Sequence, residues 1–154
     1  MSLVEQKIAE LGLTLPETSK PLAAYIPAVQ TGNLVFTSGQ LPMIDGKLSV
    51  TGKVGAEVSV EDAKALAEVC ALNALAAIKM VIGDLDKIKR VVKVVGFVAS
   101  APNFSNQPAV VNGASELLGK VLGDKGIHAR SALGVAVLPL DAPVEVELIV
   151  EISQ

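Results

Sequence analysis

From Val144 to Ile152 the chain alternates without a break. Val144, Val146, Leu148, Val150 and Ile152 fall on one face of a strand, and Glu145, Glu147, Ile149 and Glu151 on the other. Such a strand needs a sheet with one covered apolar face, because a one-residue slip would bury its glutamates. The carboxylate face must find other surroundings. Solvated edge charges are the reading for Glu147 and Glu151.

The cover comes from two helices. Ser59 is placed to cap the first, with Asp62 at the capping-box position. Ala63, Leu66, Ala67, Cys70, Ala74, Ala77, Ile78 and Val81 form its apolar stripe, and Gly83 ends it. Cys70 lies inside that stripe and reads as a small buried hydrophobe. The second helix starts at Asn106 as cap with Pro108 in its first turn; Val110, Val111, Ala114, Leu117, Leu118 and Val121 face inward.

The other elements follow the same logic. Leu3 to Leu11 predicts a short amphipathic helix closed by Gly12, and Leu15 to Pro21 an extended lead-in. Leu22 to Gln30 and Leu34 to Thr37 predict a hairpin about Thr31-Gly32-Asn33, and a short strand is expected from Lys47 to Val50. Lys87 to Ser100 is β-branched enough for a central strand, and Ser131 to Leu138 predicts another. Runs of strands and helices in this order imply one α+β domain, residues 1–154, with residues 1–20 as N-terminal helix and lead-in. Both long helices then lie on one face of a mixed sheet.

Composition narrows the function classes. Apolar residues make up 51% of the chain and charged residues 19%, yet charges or glycines interrupt every apolar run short of the ~18–20 residues of a membrane span. The excess apolar surface is expected between subunits. A net charge of −3, scattered lysines and 3% aromatics argue against a nucleic-acid partner. Glu5 and Glu10 stand where an export signal would need a basic and then an apolar stretch, so a cytoplasmic protein is expected. One cysteine and one histidine make no metal-ligand cluster.

Candidate site residues centre on Gly126 to Pro139, which sets Arg130 at the mouth of an apolar strand. A guanidinium there needs an anionic partner, either one of the chain's own acids or a ligand carboxylate taken bidentately. Ser38-Gly39-Gln40, closing the hairpin's second arm, offers a polar strand end with room for close approach.

These residues together resemble the YjgF-like or Rid (reactive-intermediate deaminase) proteins from Pro21 onward. The resemblance rests on Ala24-Tyr25, Gly32 to Gln40, Asn73, Val110-Val111-Asn112, Ala129-Arg130-Ser131, and Leu138-Pro139 followed by Val144 to Glu147. It implies a chorismate-mutase-like homotrimer whose sheets form a central barrel, with three clefts for a small carboxylate-bearing ligand between subunits. In the deaminase branch it implies hydrolysis of 2-aminoacrylate-type enamines or imines to 2-keto acids and ammonia, with neither metal nor organic cofactor. The resemblance makes Arg130 the carboxylate clasp and Glu145 the acid that positions or activates water. Ala132 assists through its backbone N–H, and Tyr25, Ser38, Gly39 and Asn112 line the pocket.

The chain departs from that branch as a divergent subgroup: His128 stands where proline is common, Ala132 where cysteine is and Gly134 where an acid is, and the chain adds an N-terminal helix and a longer segment between Phe97 and Asn112. His128 reads as an incidental loop histidine, with a pocket acid or base as the alternative. Two rival functions stay open, a non-catalytic trimeric binder of carboxylate metabolites and an endoribonuclease or translation inhibitor.

Overall fold

The computed structural model describes residues 1–18 and 24–154. The elements are α1 (Leu3–Glu10), β1 (Ala28–Thr31), β2 (Leu34–Thr37), α2 (Val60–Ile82), β3 (Ile88–Ala99), α3 (Gln107–Leu122), β4 (Ala129–Val135) and β5 (Val144–Ile152). The five strands form one mixed sheet in the order β1-β2-β5-β3-β4, antiparallel except for the parallel β3–β4 pair. The alternating strand β5 is therefore central. Glu147 and Glu151 are not edge charges, because neighbours flank β5 on both sides; Glu151 pairs with Lys89 at 3.0 Å.

Both long helices cover one sheet face, as the sequence requires. Val144, Val146, Leu148 and Val150 are fully buried beneath them, with Val94 and Val98 of β3. Two glycines set how closely these layers meet. A β-carbon on Gly113 of α3 would lie 2.0 Å from the Lys64 carbonyl oxygen of α2, and one on Gly96 of β3 would lie 2.4 Å from Val111 of α3. Helix α2 is long and apolar enough to cross a membrane, but most of that stretch is inside the core. Cys70 sits there fully buried, and burial first, then the charge of Glu145, pushes its thiol well up. An unreactive thiol follows.

Helix α1 docks from outside. Ser2 and Glu5 cap each other across its first turn, and the Asp86 carboxylate accepts from the Leu3 and Val4 N–H groups at 2.8 and 3.1 Å. Lys79 of α2 and Ser2 hold the Glu5 carboxyl down to about 2.

Three local expectations change. Strand β1 starts at Ala28, and the expected start at Leu22 lies outside the described residues, as does the lead-in beyond Thr18. No strand forms from Lys47 to Val50: Asp45-Gly46 turns the chain, and only Ile44 and Lys47 bridge. Strand β4 runs from Ala129 to Val135 rather than on to Leu138.

Candidate functional site

Arg130 opens the site. On β4, a strand paired on one side only, it stands opposite Val94, whose side chain is buried under the helices. Arg130 therefore points to the helix-covered face. There its Nη1 donates to Asn112 Oδ1 at 2.7 Å and to Ser115 Oγ at 3.2 Å, both on α3. Asn112 and Ser115 are three residues apart on that helix and so share a face. Among the described residues no carboxylate pairs with Arg130. Its Nη2 and Nε donors, the edge that grips a carboxylate in bidentate fashion, have no described protein partner.

The surroundings of His128 correct its reading as an incidental loop residue. It is half-buried, with Nδ1 2.6 Å from the Gly126 carbonyl and Nε2 2.9 Å from Ser115 Oγ. It is not an incidental loop histidine, since both ring nitrogens are used within the fold. Ser115 is the residue that sequence reasoning missed. Its spacing from Asn112 was the available signal.

Glu145 belongs to a second cluster. It stands opposite Phe97 and alternates with the buried Val144 and Val146, so it faces away from the helices. Burial, and then the charge of Glu147, pushes its carboxyl up. Its side chain lies over Gly39, where an added β-carbon would come within 2.5 Å of Glu145 Oε1. Ser38 spends its hydroxyl on the Ile26 carbonyl at 2.6 Å, and its N–H bonds the Pro27 carbonyl at 2.8 Å, which ties down the segment carrying Tyr25. Ser38 thus positions its neighbours. Tyr25 and Gly39 line a cleft walled by Thr14 to Thr18 and by Leu41 and Met43. Asn73 holds that last wall, donating to the Leu41 and Met43 carbonyls at 3.0 and 3.1 Å.

The expected site residues fall into two groups. Arg130, Asn112 and Ala132 lie at the β4 edge on the helix-covered face; Ala132, opposite Gly96, packs on the core. Tyr25, Ser38, Gly39 and Glu145 lie toward the β1–β2 side, with Glu145 on the open face. One chain does not bring Arg130 and Glu145 together. No cluster of metal-ligating side chains occurs among the described residues.

Comparison with known proteins identifies the family of the fold. Residues 5–152 match the family model described as "YjgF/chorismate mutase-like, putative endoribonuclease". The chain belongs to the YjgF/chorismate-mutase-like family. It is 42% identical to protein TCP17 of Trypanosoma cruzi, over 97% of this chain and 94% of that one. It is 33% identical to a 2-iminobutanoate/2-iminopropanoate deaminase of Dermatophagoides farinae, over 92% of this chain and 95% of that one. The crystal structure of Atu1372 from Agrobacterium tumefaciens, a protein of unknown function, superimposes with a TM-score of 0.93 at 51% identity, covering 98% of this chain and 93% of that one. The mixed sheet with two helices on one face is thus the family's fold.

Proposed function

We propose that the chain is an enamine/imine deaminase that hydrolyses small 2-imino acids to 2-keto acids and ammonia, at sites shared between copies in a homotrimer. The observation that carries this reading is the Arg130 guanidinium, anchored through Nη1 and open along its Nη2–Nε edge. That edge matches a substrate carboxylate in two parallel hydrogen bonds. Relatives named as 2-iminobutanoate/2-iminopropanoate deaminases supply the reaction class.

The chemistry asks for little else. With the carboxylate held, C2 of the protonated imine is presented to water. Glu145, made more basic by its burial, takes a proton from that water as oxygen bonds to C2. Glu145 then returns its proton to the nitrogen of the tetrahedral adduct, the C–N bond breaks with its electron pair on nitrogen, and C=O forms as the hydroxyl proton passes to the departing ammonia, leaving keto acid and ammonium. Because Arg130 and Glu145 face opposite sides of one sheet, Arg130 of one copy works with Glu145, Gly39 and Tyr25 of the next. The open β4 edge and the Tyr25–Gly39 cleft are the surfaces that would meet.

The test is release of ammonia and keto acid from imino acids generated in situ by an amino-acid oxidase, above the uncatalysed rate. Wild type is expected to accelerate release and Arg130→Ala to abolish the acceleration. Equal rates with and without folded wild type would discard the enzyme reading in favour of a carboxylate-binding trimer.

A further inference from the structure

Arg130 does not meet Ser115 by itself; behind it stands His128. His128 Nδ1 lies 2.6 Å from the Gly126 carbonyl oxygen, which can only accept, so Nδ1 carries the ring proton. In the neutral imidazole Nε2 is then an acceptor, and the Ser115 hydroxyl, 2.9 Å away, donates to it. With its proton committed to His128, Ser115 Oγ turns its lone pairs to the other side, where Arg130 Nη1 donates at 3.2 Å. A serine hydroxyl is otherwise a free rotor. One direction runs through the set, from Arg130 to Ser115 to His128 to the Gly126 carbonyl.

We infer that Ser115 and His128 are positioning residues that fix the plane of the Arg130 fork, and that His128 acts on it only through Ser115. This rests on the reading of Arg130 as a carboxylate clamp. Asn112 alone takes one Nη1 proton and leaves the guanidinium free to swing about that bond. The second acceptor, Ser115, defines a plane. The Nη2–Nε edge then faces outward in a fixed attitude, which lowers the ordering loss when a planar carboxylate docks. Both residues are half-buried, and the Ser115 hydroxyl proton and both His128 ring nitrogens are taken up within the set, so the pair acts on a ligand through the arginine.

The experiment is calorimetric titration of 2-oxobutanoate, with 2-oxobutanamide as the uncharged control, into folded wild type, Ser115→Ala, His128→Phe, the double variant and Arg130→Ala. Each single variant is expected to weaken 2-oxobutanoate roughly three- to tenfold, the size of one hydrogen bond, and to leave the amide unchanged. The double variant is expected to match Ser115→Ala, because His128 has nothing left to act through. Ser115→Thr, which keeps the hydroxyl, is expected to restore binding. Additive losses, or equal losses for keto acid and amide, would overturn the inference by showing general structural damage. Wild-type affinity in both single variants, with binding lost in Arg130→Ala, would overturn it and leave the clamp standing. Wild-type affinity in Arg130→Ala would remove the clamp and this inference together. His128→Asn replaces His128→Phe if the latter does not fold.

Discussion

Gly39 lies directly beneath the Glu145 carboxylate: a β-carbon there would come within 2.5 Å of Oε1 and 2.8 Å of the carboxyl carbon. The absence of a side chain at position 39 is what lets Glu145, on the central strand, keep its carboxyl turned toward the β2 end. Only the tip of a flexible side chain obstructs, so a substitution displaces Glu145 rather than breaking the fold.

Gly39→Ala is therefore expected to cost activity and little stability. Turnover of imino acid should fall roughly ten- to a hundredfold, the usual penalty for a catalytic group moved by about an ångström. Thermal unfolding should shift by less than about 1 kcal/mol equivalent. Paired activity and melting measurements on one preparation check this.

Glu145 should report its burial through pH. In the folded chain it takes up its proton at a higher pH than an ordinary carboxyl at 4.5, so its destabilising effect is absent below that value and complete above the raised one. Glu145→Gln is expected to melt at a higher temperature than wild type at neutral pH, with the gap closing under acid. The same variant should lose turnover. Melting curves across a pH series, alongside activity, check both signs.

Arg130→Lys tests the fork. An ammonium supplies charge without two parallel donors, so keto-acid affinity is expected to fall about ten- to a hundredfold with the assembly unchanged. Titration calorimetry and a sizing column measure the two halves of this prediction.

The helix packing offers a matched pair on α3. Gly113→Ala drives a β-carbon into the Lys64 carbonyl, and overpacking against backbone should destabilise by about 1–3 kcal/mol. Gly119→Ala meets nothing within 4 Å and should stabilise by about 0.4–1 kcal/mol. Denaturant midpoints of the two variants should move in opposite directions.

Much of this fold could be read from side-chain periodicity. Strand β5 runs from Val144 to Ile152 and α2 ends at Gly83, both where the pattern stops. Periodicity assigns faces but not neighbours, which is why the central place of β5, and with it the surroundings of Glu147 and Glu151, did not follow from the sequence. Capping was legible in part. Ser2 with Glu5 closes a full capping box, whereas Asp62, a methylene shorter than glutamate, leaves Ser59 as a one-way cap. Asn106 makes no side-chain cap: Pro108 has no N–H to give, and the Ala109 N–H goes to the Asn106 backbone carbonyl at 3.2 Å. At the site, Arg130 was marked by its isolation among apolar residues. Its setting was not, because Ser115 and His128 meet only when α3 packs against β4.

The claim that one chain supplies Arg130 and another Glu145 is tested most directly by mixing. Arg130→Ala and Glu145→Gln chains, each inactive alone, are refolded together and assayed for keto-acid and ammonia release beside refolded wild type. A shared site predicts recovered activity in the mixture, because some interfaces then pair an intact Arg130 with an intact Glu145. A mixture as inactive as its parents, from co-assembled chains and beside active wild type, would contradict the account.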